Sequence, residues 1–108
     1  MDTNLKENEQ VVMIAIMRKN GEAYGVSIFE DLEKRLGREV PMATIYATLE
    51  KLEMRGFVRS RKGEATAERG GRAKMYFELT GTGQKALNAS VSGFKRLIEG
   101  LDWKGAMA

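Results

Sequence analysis

A chain of 108 residues has room for one domain with a single hydrophobic core. Hydrophobic residues make up 43% and charged residues 31%, the balance of an ordinary globular protein, which argues against disorder of the whole chain. Cysteine and histidine are absent, which excludes disulfides, thiolate or imidazole metal sites and the commonest catalytic pairs. We therefore expect no metal, no cofactor and no enzymatic activity.

The N-terminal stretch MDTNLKENEQ has acids and amides where a signal peptide needs basic residues followed by an apolar run. The longest apolar run, VVMIAIM, is too short to cross a membrane. We therefore expect a cytoplasmic protein with no membrane partner.

The positive charge of the chain is concentrated in one stretch. The formal net charge is +3, but residues 55–74 contain seven basic and two acidic side chains, which gives +5 locally. A field of this kind attracts polyanions such as nucleic acid. A solvated basic loop is the ordinary alternative.

Three helices are predicted in the first half of the chain. A dense apolar run from Asn8 to Lys19 ends at Lys-Asn-Gly, a typical helix stop, and predicts a buried first helix. The stretch YGVSIFEDLEKRLG predicts an amphipathic second helix. Its core-facing positions are Tyr24, Ile28, Phe29, Leu32 and Leu36, and its outer positions are Glu30, Asp31, Glu33 and Lys34. After Pro41, the stretch MATIYATLEKLEMRG predicts a third helix with Ile45, Leu49 and Leu52 turned inward.

The hydrophobic period then changes from that of a helix to that of a strand. FVRSRK and KMYFEL are short, rich in aromatic or β-branched residues and separated by a Gly- and Arg-containing loop, which predicts an antiparallel hairpin. In its second strand Met75, Phe77 and Leu79 share one face. Thr80 is a good N-cap for a last helix. That helix has a narrow heptad seam: Leu87, Val91, Phe94, Ile98 and Leu101.

Helix, helix, helix, hairpin is the order of a winged helix-turn-helix, in which the third helix enters the DNA major groove. The predicted fold class is mainly α with a small β-hairpin. Residues 1–79 would form the DNA-binding domain and residues 80–108 a C-terminal dimerisation helix and tail. A winged-helix module that binds another protein and not DNA has the same element order and remains the alternative.

The predicted DNA contacts lie on the third helix and on the hairpin, or wing. The outer side of the helix has small residues that allow close approach, and hydroxyl and amine groups that reach phosphate or base. These positions are Ala43, Thr44, Tyr46, Ala47 and Lys51. On the wing, Arg and Lys neutralise phosphates while glycines let the backbone approach them. The wing positions are Arg61, Lys62, Arg69, Gly70, Gly71, Arg72, Lys74 and Tyr76.

Three stretches, AYGVSIFEDLEKRLGREV, ATIYATLEKLEMRGFVRS and GGRAKMYFELTGTGQKAL, resemble the PadR-like transcriptional regulators over about residues 10 to 87. The family pattern falls on the second helix, the third helix and the wing. The matched positions are Tyr24, Gly25, Ile28, Tyr46, Leu49, Leu52, Glu53, Gly56, Gly71, Arg72, Lys74, Tyr76, Phe77, Leu79, Thr80 and Gly83. The resemblance implies a homodimeric winged-helix repressor that binds operator DNA and often releases it on a small-molecule signal. Met42 replaces the Ser that commonly caps the third helix, Met75 replaces a basic residue, and Phe77 stands for a Tyr.

The heptad seam of the last helix predicts a homodimer, with burial in the core of the same chain as the alternative. Phe94 and Trp103 could line an effector pocket at that seam, although an interface aromatic needs no ligand. GTGQKA at residues 81–86 has the Gly-x-Gly-x-x-Ala spacing of a dinucleotide fingerprint. Because no parallel sheet is possible here, we interpret it as a helix start.

Overall fold

The computed structural model describes residues 4–65 and 73–102. Its four helices and two strands occur in the predicted order, and the fold is mainly helical with a β-hairpin. They are α1 (Glu7–Lys19), α2 (Gly25–Leu36), α3 (Met42–Met54), β1 (Val58–Ala65), β2 (Ala73–Leu79) and α4 (Gly81–Ile98). The prediction of a winged helix-turn-helix with a C-terminal helix is confirmed.

Local chemistry explains where the helices begin and end. The Lys6 N–H donates to the Glu9 carboxylate at 2.9 Å, which satisfies a backbone donor at the start of α1. Helix α2 ends at Gly37, whose φ of 71° lies in the left-handed region that glycine adopts easily. Helix α3 begins directly after Pro41, and within the described residues no side chain caps it, as expected with Met42 in place of Ser.

The core lies where α1, α2 and α3 meet the base of the hairpin. Ile28, Ile45, Leu49 and Leu52 are buried at the predicted positions, together with Phe57 from the turn between α3 and β1. Burial of these side chains is the main stabilising term of so small a domain. The inward faces of α2 and α3 therefore fix how α3 is presented to solvent on its other side.

The outward position predicted for Asp31 is wrong. The side chain is 9% exposed and lies between two exposed arginines of α1 and α2, 3.3 Å from Arg18 and 3.9 Å from Arg35. Partnering by two cations offsets the cost of removing the carboxylate from water. Leu36, predicted to face the core, is instead exposed near the end of α2.

The hairpin is held to the helices as well as to itself. Its antiparallel register pairs Val58 with Leu79 and Ser60 with Phe77, with an irregularity between Lys62 and Ala65. Ala23, just before α2, forms an additional antiparallel bridge to Phe77, whose N–H donates to the Ala23 carbonyl at 2.8 Å. The wing is thus attached to the N-terminal end of α2, a connection that the sequence did not predict.

Helix α4 starts on the turn between α3 and β1. Thr80 accepts a hydrogen bond from the Gly83 N–H at 3.0 Å, which confirms it as the N-cap. Gly83 is buried so closely against the Phe57 carbonyl that an added Cβ would overlap it. The motif starts a helix as predicted, and its second glycine also permits the close packing of one backbone on another, which the sequence did not predict.

The heptad positions of α4 divide into two groups. Leu87 is 2% exposed in the core of its own chain, and Val91 packs against that core. Phe94, farther along, is exposed. Leu101 is exposed too, but α4 ends at Ile98, so the prediction that Leu101 continues the helical seam is wrong. The position of Leu87 thus agrees with the alternative of burial within one chain and corrects the expectation that this residue is a surface contact. Among the described residues, no helix is both long and apolar enough to cross a membrane.

Candidate nucleic-acid interface

The outer side of α3 presents the residues that the sequence predicted for DNA contact. Ala43, Ala47 and Lys51 are exposed, and Thr44 is half-buried. Thr48, on the inner side, donates its hydroxyl to the Thr44 carbonyl at 2.7 Å. The exposed stripe therefore combines small side chains, which can approach the floor of a groove closely, with the amine of Lys51 and the carboxylate of Glu50 at its C-terminal end.

Tyr46 is positioned by the first residue of α2. Its side chain is 52% exposed, and its hydroxyl group lies directly against Gly25. A Cβ at Gly25 would overlap the phenol ring, so only glycine at this position lets Tyr46 of α3 lie against the start of α2. This contact could not be predicted from the sequence, because it joins two helices through a residue with no side chain.

A ladder of aromatic rings and cations connects the base of the wing to the start of α2. The rings of Tyr24 and Tyr76 meet edge to face at a centroid distance of 5.9 Å. The Lys74 amine lies 4.0 Å from the Tyr24 ring centre, and the Arg61 guanidinium carbon lies 4.7 Å from that of Tyr76. Arg61 also donates to the Gly21 carbonyl at 2.9 Å. Tyr24 thus precedes α2 as its N-cap residue and serves as the joint between helix and wing.

The basic residues of the strands differ in how much of their charge is available. Arg59 pairs with Glu78 at 2.6 Å, which partly offsets its charge. Lys62 is exposed, and Gly63 lies so close to the Tyr76 ring that a Cβ would overlap it. The predicted tip contacts, Arg69, Gly70, Gly71 and Arg72, lie outside the described residues.

Two grooves flank α3, one on each side of its exposed stripe. The first, of about 250 Å³, separates α3 from the wing and the start of α2. It is lined by Tyr24, Gly25, Val26, Tyr46, Lys74, Met75 and Phe77. The second, of about 230 Å³, separates α3 from the start of α1. It is lined by Lys6, Asn8, Glu9, Thr44, Ala47, Thr48 and Lys51. We call them the wing groove and the α1 groove.

A buried ion pair closes one end of the α1 groove. Glu9 is buried and accepts a hydrogen bond from Arg55 at 2.8 Å, while Arg55 also donates to the Asn4 carbonyl at 2.8 Å. Burial alone would raise the pKa of Glu9, but the Lys6 N–H and the Arg55 guanidinium hold that pKa below its usual value. One of the seven cations of the basic stretch is therefore used inside the fold.

The far half of α4 presents apolar side chains to solvent. Phe94 is 60% exposed and Leu97 is 76% exposed, and Leu97 was not among the predicted interface residues. A third groove, of about 230 Å³, lies between α1 and α4. It is lined by Gln10, Ile14, Val91, Phe94, Lys95 and Ile98. Trp103, the predicted partner of Phe94 in an effector pocket, lies outside the described residues.

Comparison with solved structures gives the same architecture. A PadR-like transcription factor from Bacteroides fragilis is 26% identical, with a TM-score of 0.71 over 93% of this chain and 88% of that one. A Streptococcus transcriptional regulator is 24% identical, with a TM-score of 0.70 over 93% and 91%. Bacillus subtilis PadR, solved in complex with operator DNA, is 22% identical, with a TM-score of 0.63 over 78% of this chain and 45% of that one.

A search of curated proteins returned no match. The family model described as the transcriptional regulator PadR-like family matches residues 13–89, which is more than half of the chain. This range runs from α1 through the wing into the first half of α4, and it contains Gly25, Tyr46 and Gly83, whose close contacts shape the junctions around α3. The chain belongs to the PadR-like family of transcriptional regulators.

Proposed function

We propose that this regulator is a repressor that binds double-stranded DNA as a homodimer, with α3 in the major groove and the wing on the neighbouring backbone. The observation that supports this most is the exposed stripe of α3 between two grooves, because an inserted helix needs room on both sides for the DNA strands. The structurally similar Bacillus subtilis PadR was solved in complex with operator DNA, which supports DNA as the partner.

The stripe on α3 suits a major groove in size and chemistry. A helix with its side chains is about 10–12 Å across and the major groove is about 12 Å wide, so small residues allow the deepest approach. The small side chains of Ala43 and Ala47 allow this deep approach to the groove floor, and Thr44 and Lys51 reach phosphate. Tyr46, whose hydroxyl lies against Gly25, is half exposed and contacts a base edge or a phosphate.

The wing contributes positive charge, and the tyrosine rings at its base hold the charged groups in position. Lys74 and Arg61 are ordered against tyrosine rings before any DNA arrives, which lowers the entropy cost of binding. Lys62 and the tip residues Arg69 and Arg72 add contacts to phosphate, with Gly70 and Gly71 allowing close approach. Tyr24 and Tyr76 act mainly as supports for the lysine and arginine heads.

Dimerisation is assigned to the exposed half of α4. Val91, Phe94, Ile98 and Leu101 are the interface positions, and Leu87 is left in the core of its own chain. A second copy would cover apolar surface that is otherwise exposed to water. Two copies of α3 would then meet a pseudo-palindromic site at a spacing of about one helical turn. Residues 1–79 would form the DNA-binding unit and residues 80–108 the dimerisation unit.

Release by a small molecule is a second element of the proposal. The groove beside Phe94 is lined largely by apolar side chains, which suits an apolar or aromatic ligand more than a charged one. Trp103 would join Phe94 at this seam. A ligand that binds there shifts the equilibrium only if it favours one arrangement of the two copies over the other.

The test is a gel-shift titration of the purified protein on its own promoter region at several salt concentrations. Binding should weaken steeply with salt, and Arg72→Ala should weaken binding to all sequences and reduce the salt slope by about one. Lys85→Ala, a matched loss of one charge at an exposed position of α4, should leave the slope unchanged. Failure of the wild type to shift this DNA at low salt would favour the protein-interaction alternative.

A further inference from the structure

The α1 groove extends the proposed DNA surface beyond α3 and the wing. We propose that Lys6 and Asn8, at the start of α1, bind a backbone phosphate of the DNA strand that lies along this side of α3. The inference rests on the DNA-binding function proposed above. Neither Lys6 nor Asn8 belongs to α3 or to the basic stretch at residues 55–74, where the sequence predicts the DNA contacts.

The position of the groove follows from the spacing of residues on α3. Thr44, Ala47 and Lys51 recur at i, i+3 and i+7 and so form one wall, while the start of α1 forms the opposite wall. An inserted helix nearly fills the major groove, so one DNA backbone lies on each side of it. The backbone on the Tyr46 side meets Lys74 in the wing groove. The other backbone lies where Lys6 and Asn8 face α3.

The charges in the α1 groove favour an anion. Lys6 and Lys51 contribute two amines, and the Asn8 amide is a neutral donor. Glu9 also lines the groove, but its carboxylate is already bonded to the Lys6 N–H and to Arg55. Because the guanidinium of Arg55 offsets the negative charge of Glu9, the two lysines set the sign of the site.

The Glu9–Arg55 pair also fixes the chain on both sides of Lys6. Arg55, at the end of α3, binds Glu9 after Lys6 and the Asn4 carbonyl before it, each at 2.8 Å. The backbone of Lys6 is thereby held beside α3 before any ligand arrives. Only the flexible side chain has to be ordered when a phosphate binds, which lowers the cost of the contact.

Gel-shift titrations of Lys6→Ala and Lys6→Gln against the wild type, on the operator fragment and on an unrelated duplex of equal length, test the proposal. The Lys6 backbone and not its side chain binds Glu9, so both variants should fold with an unchanged unfolding temperature. Each should lose roughly fivefold in affinity for both duplexes at low salt. The slope of log affinity against log salt should fall by about 0.9, the value for one phosphate contact. Lys6→Arg should restore the slope.

Lys85→Ala is the matched control. It also removes one exposed lysine charge, but Lys85 lies on α4 and does not line the α1 groove. If the wild type binds with a steep salt slope and both Lys6 variants keep that slope, the α1 contact is overturned while the proposed function stands. If the wild type itself does not bind, both fall together. A loss of affinity for the operator fragment but not for the unrelated duplex would also overturn the proposal, because phosphate contacts carry no sequence information.

Discussion

The surface around α3 and the surface along the far half of α4 differ in almost every physical respect. The first is mostly polar and basic, and its side chains are held by local partners: Tyr46 on Gly25, Lys74 on Tyr24, Glu9 on Arg55. The second is apolar and exposed at Phe94 and Leu97. Preorganised charge suits a polyanion, whereas exposed apolar area suits a second protein surface. This difference agrees with the proposal that the surface around α3 binds DNA and that the far half of α4 binds a second copy of the chain.

The largest expected effect comes from charging the apolar surface. Phe94→Asp should leave a monomer, because an unpaired carboxylate would be buried at the interface. Operator affinity should then fall by about 100-fold or more, since the second half-site no longer binds as part of one linked complex. Light scattering gives the mass and gel shifts give the affinity. Ser92→Asp, about 200° around the helix from Phe94, is the control and should keep the dimeric mass and the operator affinity of the wild type. A dimeric mass for Phe94→Asp would remove α4 as the interface.

The junction between the two surfaces should be sensitive to one added methyl group. Gly83→Ala places a Cβ on the Phe57 carbonyl, which forces α4 away from the α3–β1 turn. We expect a loss of about 1–3 kcal/mol in the free energy of unfolding, or roughly 4–8 °C in unfolding temperature for each kcal/mol.

Gly81→Ala provides the control for that substitution, because an added Cβ there meets none of the described atoms within 4 Å. Thermal unfolding of the two variants should therefore differ clearly. Equal unfolding temperatures would show that the close contact at Gly83 does not constrain α4.

A smaller effect is expected from moving Tyr46 while leaving its chemistry intact. Gly25→Ala should displace the phenol from its seat at the start of α2 and reduce operator affinity by roughly tenfold. The effect of Gly25→Ala on affinity should be much smaller in a Tyr46→Ala background, because the displaced ring is then absent. Gel-shift titration of the four proteins gives this coupling directly. Equal losses in the two backgrounds would indicate that Gly25 acts without Tyr46.

The smallest effect concerns pH and the Glu9–Arg55 pair. Because the pKa of Glu9 is lowered in the folded protein, its carboxylate stabilises the fold at pH values above the pKa of the unfolded chain, which is about 4.5. That contribution is lost as pH falls through the lowered pKa. Glu9→Gln should lower the free energy of unfolding by about 1 kcal/mol near pH 7, and this deficit should shrink below about pH 4.

Glu7→Gln is the matched control for Glu9→Gln, since Glu7 pairs with Arg38 at the surface. Its cost should be no more than about 0.5 kcal/mol. Denaturant unfolding at pH 7 and pH 3 measures both variants. A Glu9→Gln deficit that stays constant with pH would contradict the ion-pair account.

The elements of the fold could be predicted because their signals are local. The inward set Ile45, Leu49 and Leu52 and the cap at Thr80 each depend on neighbours within a few residues, and the structure has them as expected. The buried position of Asp31 could not be predicted, because Arg18, one of its two partners, belongs to another helix.

The candidate site was predictable in its residue types but not in its supports. Basic residues and a small-residue helix face are visible in a sequence. The contacts that fix them are Ala23 with Phe77, Gly25 with Tyr46 and Arg55 with Glu9, and these join residues that are distant along the chain. The heptad spacing of α4 likewise does not show where the helix leaves the core of its own chain. Leu87 is therefore buried and Phe94 is exposed, although both lie on the same seam.

Hydroxyl-radical footprinting of the protein on its operator tests the proposed paired insertion of α3 most directly. Two copies of α3 in successive major grooves should protect two segments on one face of the duplex, with centres about 10–10.5 base pairs apart. The Lys62, Lys74 and wing-tip contacts should add protection beside each segment. A single protected segment, or protection with no such spacing, would contradict the paired insertion of α3 that this account predicts.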